Sequence, residues 1–152
     1  MRQASVFGVA FAMLMALPAA LRAAPVEDVF RDFDMFGTWA VDCAAPASGS
    51  NPHVVDVMQS PGVVTESHDL GPDFAGNRYS VVSAERMSRE QMAIEVIFQP
   101  GAENEQRQKL ILLIRKNTRR TMFNQPEGDE VRVKDGIAVG RGLRTAVLRK
   151  CE

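Results

Sequence analysis

The chain has 152 residues, of which 45% are hydrophobic and 24% are charged, and its formal net charge is −1. This composition is that of an ordinary globular domain, and it excludes a disordered chain, a collagen-like chain and a multidomain enzyme. Two cysteines and two histidines are too few for a multi-cysteine zinc or iron–sulfur motif. The chain also lacks a glycine-rich phosphate loop, a Gly-x-Ser-x-Gly elbow and a His-Glu-x-x-His motif, which excludes those enzyme classes.

The first residues have the pattern of a secretory signal peptide. Arg2 is followed by an apolar run over residues 6–17, and then by Pro18 and small residues. The run is too short to cross a bilayer as a helix. We therefore assign residues 1–23 to the signal peptide and place the mature start at Ala24. The expected location is the bacterial periplasm, or the medium outside the cell.

Export changes how the two cysteines are interpreted. In an oxidising compartment, two cysteines in a small domain most often form a disulfide. A Cys43–Cys151 bond would close a loop of about 109 residues, for which the chain-entropy model gives roughly 4–5 kcal/mol. The alternative, a reactive thiol pair, lacks the Cys-x-x-Cys spacing.

The mature chain starts with one predicted helix. Residues 24–36 form a lead-in, in which apolar side chains recur at helical spacing at Val26, Val29, Phe30 and Phe33. Two acidic residues in the first turn favour the helix dipole.

Residues 37–152 then form a single β-domain, because the hydrophobic period changes to two. Turn dipeptides such as Pro100-Gly101 and Asp135-Gly136 separate the apolar runs. Short strands with tight turns indicate an antiparallel meander of eight or nine strands, which closes most easily into a barrel. The predicted strands are Gly37–Ala44, His53–Gln59, Val63–Leu70, Arg78–Met87, Met92–Gln99, Gln106–Lys116, Arg120–Gln125, Glu130–Lys134 and Leu143–Cys151.

The expected disulfide supports closure of this barrel. One cysteine ends the first predicted strand and the other ends the last. Bridged cysteines have α-carbons about 4.4–6.8 Å apart, which is close to the spacing of neighbouring strands. The first and last strands should therefore lie side by side.

The segment Phe36-Gly37-Thr38-Trp39 carries a Gly-x-Trp motif after a short helix and at the start of the first strand. In this it resembles the lipocalins and the wider group of calycin barrels. The resemblance implies that Trp39 closes the barrel floor and that a late basic residue, Arg144 or Arg149, packs on its face.

A second resemblance covers Phe36 to Cys43. This octapeptide is similar to the opening of the invasion-associated locus B family of exported bacterial proteins. It agrees with the expected export.

The histidines suggest a candidate metal site in the hairpin around Ser60-Pro61-Gly62. If Ser60 opposes Val63, His68 faces the residue two beyond His53; if Gln59 opposes Gly62, the two histidines face each other. Both registers place His53, His68 and Glu66 on one face. Two histidines and a carboxylate suit copper or zinc, but a pair of structural histidines is the favoured interpretation.

Charge is divided unevenly along the chain. Residues 25–105 carry four Lys/Arg against fourteen Asp/Glu, whereas residues 106–152 carry twelve against five. In a meander the two halves become two flanks, and the basic one is suited to an anionic lipid, another envelope component or an acidic protein. The predicted basic patch comprises Arg115, Lys116, Arg119, Arg120, Arg132 and Lys134.

These features favour a non-catalytic, exported β-barrel that binds an apolar or anionic ligand or an envelope partner. No local signature places a nucleophile beside a base, so we expect neither enzyme activity nor a cofactor. One alternative is a periplasmic protein-interaction factor of the protease-inhibitor type, and another is a small metal-binding protein. Export argues against a nucleic-acid partner. The apolar run of residues 6–17 is too short for a membrane-spanning helix, which argues against a membrane-spanning protein.

Overall fold

The computed structural model describes residues 25–152; the expected signal peptide, residues 1–23, lies outside the described residues. This part of the chain contains one helix, α1 (Val26–Asp32), and eleven strands. The strands are β1 (Gly37–Ala40), β2 (His53–Ser60), β3 (Val63–Asp69), β4 (Asn77–Arg86), β5 (Gln91–Phe98), β6 (Gln106–Arg115), β7 (Thr118–Pro126), β8 (Val133–Lys134), β9 (Ile137–Ala138), β10 (Leu143–Arg144) and β11 (Leu148–Lys150). No helix among these residues is long and apolar enough to cross a membrane.

Eight of the strands form a closed antiparallel barrel. Each of β1 to β6 pairs with the next strand along the chain. Strand β11 then pairs with both β7 and β1, which closes the barrel. The predicted closed meander with one short helix is therefore confirmed. The three remaining strands, β8 to β10, form a short sheet that continues outward from β7, and we call it the extension.

Helix α1 closes one end of the barrel. Glu27 and Asp28 occupy its first turn, while Val29 and Phe30 are buried. The helix packs against β3 and β4, and its buried side chains join a core that also contains Met35. We call this end the floor and the opposite end the mouth.

The first predicted strand is too long, because the chain leaves β1 at Ala40 and not at Ala44. The cause is Asn51, whose side chain organises the following loop. Its Oδ1 accepts a hydrogen bond from the amide of Asp42 at 2.9 Å, and its Nδ2 donates to the carbonyls of Ala45 and Pro46 at 3.3 and 3.1 Å.

The C-terminal region also differs from the prediction. The predicted strand Leu143–Cys151 is interrupted and forms β10 and β11, and β9 was not predicted at all. Asp135 and Gly136 have φ angles of +52° and +72°, as a two-residue hairpin turn requires. This turn directs the chain back along β8 and so forms the extension.

The predicted disulfide is confirmed. Cys43 and Cys151 are bonded, with their α-carbons 5.5 Å apart. The amide of Cys151 donates to the carbonyl of Thr38 at 2.8 Å, so the bond lies next to the β1–β11 pairing. Only two residue pairs connect these strands, as also for β11 and β7, and the disulfide therefore reinforces one of the two shortest ladders of the barrel.

We expect reduction of this disulfide to cost about 2–4 kcal/mol of unfolding free energy, since the bond restricts the unfolded chain. Urea unfolding should be compared for the oxidised protein, the reduced protein and the double variant Cys43→Ser/Cys151→Ser. The reduced protein and the variant should unfold at the same, lower urea concentration. Equal midpoints for all three would show that closure does not depend on the bond.

Candidate functional site

The centre of the barrel contains two carboxylates on neighbouring strands. Asp56 of β2 lies directly opposite Glu66 of β3, and both residues are buried, with 1% and 6% of their surface exposed. Both occupy positions of an otherwise apolar inward face, in which Val54 and Val64 are also buried. Two buried acids side by side require a cation.

Arg119 of β7 supplies that cation from across the barrel. Its Nη1 lies 2.6 Å from Oδ2 of Asp56, and its Nη2 lies 2.6 Å from Oε2 of Glu66. The Arg119 side chain is itself only 6% exposed. One guanidinium therefore bonds both carboxylates through separate nitrogens, a geometry that lysine does not offer.

His68 continues the cluster toward the mouth. Its Nε2 lies 2.6 Å from Oε1 of Glu66, so both oxygens of this carboxylate are occupied. The imidazole packs against the ring of Tyr79 at a centroid distance of 4.9 Å, and Tyr79 packs against Phe98 at 5.3 Å. A column of rings thus leads from the charged cluster along the inner wall.

Trp39 lies on the floor side of the cluster, as the Gly-x-Trp motif implied. It is 1% exposed, and its Nε1 donates to the carbonyl of Met35 at 2.8 Å. The predicted cation partners, Arg144 and Arg149, are wrong. Arg119 and Lys150 instead approach the indole at 5.7 and 5.6 Å, because Lys150 directly opposes Trp39 in the β1–β11 ladder.

The two carboxyl groups have opposite pKa shifts. Burial raises the pKa of Asp56 well above its ordinary value, against the influence of Arg119 and with a further contribution from Glu66. Burial also acts to raise the pKa of Glu66, but Arg119 and His68 outweigh it and the pKa is lowered. The raised pKa of Asp56 favours its protonated form, and the lowered pKa of Glu66 favours its ionised form. The buried Oδ1 of Asp56 has no hydrogen-bond partner.

A cavity of about 170 Å³ lies on the mouth side of the cluster. Glu66, His68 and Arg119 form its charged bottom, and Tyr79 stands at its side. Burial is the main cause that raises the pKa of Tyr79 to about 12, so its phenol stays protonated. Most of the remaining wall is apolar, and its polar part consists of Arg120 and the hydroxyls of Thr121 and Thr145. The apolar residues are Pro52, Val54, Ile94, Leu110, Leu112, Ala146 and Leu148.

A larger groove of about 440 Å³ lies on the outer surface over β5, β6 and β7. Its charged side chains already bind each other, with Glu95 at 3.3 Å from Arg107 and 3.5 Å from Lys109. The cavity at the mouth is therefore the better candidate for a ligand site.

The predicted juxtaposition of His53 and His68 is wrong. Ser60 does oppose Val63, but a bulge at Gln59 shifts the register by one residue, and His68 pairs with Val54. A one-residue shift moves a side chain to the other face. Glu66 and His68 consequently share the interior, whereas Nε2 of His53 lies 3.0 Å from the carbonyl of Ala45. In residues 25–152 no group of three or more His, Cys, Asp or Glu side chains is placed to hold a metal ion.

Only some residues of the predicted basic patch are exposed and without an acidic partner. Arg119 belongs to the buried cluster and not to the patch. Arg115 and Arg132 pair with Glu90 and Asp129 at 2.7 and 3.0 Å. The other three members are Lys116 and Lys134, which are exposed, and Arg120, which is half-buried.

Sequence reasoning missed the cluster, although a signal for it existed. Asp56 and Glu66 interrupt the inward, apolar positions of two adjacent strands. Such a pattern requires a buried cation, and Arg119 meets the requirement from a distant strand.

Comparison of the chain with protein-family models, curated proteins and solved structures gives no match.

Removing the buried cation should strongly destabilise the fold. We expect Arg119→Met to lower the unfolding free energy by about 3–5 kcal/mol, because Glu66 would remain buried and uncompensated. Adding Glu66→Gln should recover more than about 1 kcal/mol, since contacting residues couple by that amount. Urea unfolding measures both values. A double variant less stable than Arg119→Met would contradict the assigned charge balance.

The raised pKa of Asp56 predicts a dependence of stability on pH. Because its pKa is raised from 3.8, the stability it contributes is present at low pH and is lost as the pH rises toward the folded pKa. Asp56→Asn removes this titration. The difference in unfolding free energy, Asp56→Asn minus wild type, should therefore rise with pH above about pH 4. The rise should be up to about 1.4 kcal/mol per pH unit.

Glu66→Gln is the matched control for this experiment. The pKa of Glu66 is lowered from 4.5, so the stability it contributes is lost only as the pH falls below that value. Glu66 also contributes to the raised pKa of Asp56, so between about pH 5 and pH 7 the difference of Glu66→Gln from wild type should change with pH, but less than that of Asp56→Asn. A constant difference for Asp56→Asn over the same range would contradict the raised pKa of Asp56.

Proposed function

We propose that this chain is an exported, non-catalytic binding protein that holds one small neutral ring in the mouth of its barrel. The observation that supports this proposal is the cavity of about 170 Å³ between the apolar walls and the charged cluster. Ligand sites of this kind are concave and mostly apolar, with a few polar groups at defined positions.

The size of the cavity limits the ligand. Cavities for drug-sized ligands measure about 300–1,000 Å³, whereas an apolar cavity of about 150 Å³ holds benzene. Side chains fill the rest of the interior, including Trp39 and Phe30 at the floor. A monocyclic compound therefore suits this barrel better than a long-chain lipid.

The charges at the bottom of the cavity favour a neutral ligand. Arg119 is already bonded to two carboxyl groups, and both oxygens of Glu66 are occupied. A charged ligand would lose its hydration without gaining an unpaired counter-charge from this cluster. Arg120, which also lines the cavity, already donates to the carbonyl of Gly136 and the hydroxyl of Thr145. The phenol of Tyr79 and the hydroxyl of Thr121 remain for polar contacts with a ring substituent.

Export and a periplasmic location belong to the same proposal. The disulfide and the lack of a membrane-crossing helix in residues 25–152 are consistent with an exported protein. A protein with this cavity would sequester or deliver a small ring compound outside the cytoplasm.

Phenol is a suitable probe, because it has one ring and one hydroxyl. We expect it to bind with a Kd below about 1 mM, equivalent to about −4.1 kcal/mol, as measured by calorimetry or by NMR shifts. Decanoate should bind no more tightly than phenol, because its chain exceeds the cavity.

Two neighbouring residues of β6 provide a matched pair of variants. Leu110 lines the cavity, whereas Ile111 faces the outer surface. Leu110→Trp should fill the cavity and abolish phenol binding, and Ile111→Trp should leave it unchanged. Failure of phenol to bind wild type, or equal loss in both variants, would overturn the proposal.

A further inference from the structure

The outer surface along β11, β7 and the extension carries unpaired cations. Arg149 of β11 lies between Ala40 of β1 and Thr118 of β7 in the ladder. It is exposed, whereas its neighbour Leu148 is buried, so Arg149 points outward. Lys116 is also exposed. It lies in the turn that leads into β7, close to the pairing of Arg149 with Thr118.

The extension adds two further cations to this surface. Lys134, Ile137 and Arg144 directly oppose one another across β8, β9 and β10, and all three are exposed. They form a row with an aliphatic residue between two cations. We define the seam face as the exposed residues along this line: Lys116, Lys134, Arg144, Arg149, Ile137 and Val147. Leu143 is exposed on the opposite face of the extension, since it precedes Arg144 in β10 and pairs with Ala138.

Little negative charge lies near the seam face in the sequence. Residues 131–151 contain six Lys/Arg and one acidic residue, Asp135. Two of these cations, Arg132 and Lys150, pair with Asp129 and Asp34. None of the four cations of the seam face forms an ion pair with any residue from 25 to 152.

Aliphatic side chains lie among these cations. Val147 and Ile137 are 49% and 41% exposed. Exposed hydrophobic residues rimmed by charge are typical of protein or membrane interaction sites.

Arg120 holds the extension in place against β7. Its guanidinium donates to the carbonyl of Gly136 and, at 3.0 Å, to Oγ1 of Thr145. Thr145 in turn donates to the carbonyl of Thr121 at 2.7 Å. A Cβ at position 136 would lie 2.6 Å from this guanidinium, so the contact requires glycine. The seam face is therefore anchored to the barrel.

We propose that the seam face docks on an anionic lipid surface. Its four unpaired cations are complementary to lipid phosphates, and their long stems allow the charges to reach the headgroups while aliphatic neighbours lie at the acyl boundary. An acidic protein would satisfy the cations but gives no comparable role to Ile137 and Val147. This surface is separate from the cavity at the mouth and goes beyond the ring-binding function.

Co-sedimentation with vesicles tests the docking. Wild type should bind vesicles of mixed phosphatidylglycerol and phosphatidylcholine at low salt, and should be released at high salt. Phosphatidylcholine vesicles should retain little protein. The triple variant Lys134→Glu/Arg144→Glu/Arg149→Glu should bind the anionic vesicles more than about tenfold more weakly, because each cation contributes near an anionic leaflet.

The matched control is Arg78→Glu/Arg89→Glu/Lys109→Glu, which changes the net charge equally at exposed positions away from the seam face. It should bind much more tightly than the triple variant of the seam face. Ile137→Ser/Val147→Ser should weaken binding at a given salt concentration, whereas Val57→Ser/Val82→Ser, at positions of similar exposure, should not. Circular dichroism and urea unfolding verify that each variant remains folded.

Three outcomes would overturn the proposal. They are no binding of wild type to anionic vesicles at low salt, equal binding to neutral vesicles, and equal loss in the two triple variants. The phenol experiment is independent. If the protein binds phenol but does not bind vesicles, the proposed ring site stands and the proposed lipid docking is wrong.

Discussion

The barrel depends on one guanidinium placed between two carboxyl groups. Arg119 joins β7 to β2 and β3, and two strands, β11 and β1, separate β7 from β2 in the sheet. The bonds therefore connect opposite walls. An unpaired charge at this depth would be expensive, so the walls are stable only in the register that brings the three groups together. The disulfide and the short β1–β11 ladder hold the same side of the barrel closed.

This charged layer divides the interior into two compartments with different properties. Below it, Trp39, Phe30 and Met35 pack without exposed surface beyond 1%, and helix α1 completes the floor. Above it, the walls diverge, since β11 follows β7 for only two residue pairs before the extension takes its place beside β7. The cavity lies above the layer, and the charged groups at its bottom, Arg119, Glu66 and His68, are joined by hydrogen bonds.

Much of the architecture follows from hydrophobic period and turn chemistry. Met92, Ile94 and Val96 alternate with half-exposed neighbours in β5 as the sequence pattern indicated, and the expected cysteine pairing is present. Local pattern could not locate the bulge at Gln59, because a bulge adds a residue without changing composition. Nor could it decide between Arg119 and Arg120, since both are equally polar. Only the positions of Asp56 and Glu66 on distant strands determine which arginine turns inward.

The Cys43–Cys151 bond has a consequence for how the protein tolerates cleavage. Together with the chain from 43 to 151 it forms a covalent ring that contains every barrel strand except β1. A protease that cuts one exposed turn, such as Pro100-Gly101, opens this ring but separates nothing. The two fragments stay joined through sulfur, and their ladders remain paired on both sides of the cut. In a compartment rich in proteases, a single nick would leave the barrel in one piece until the bond is reduced.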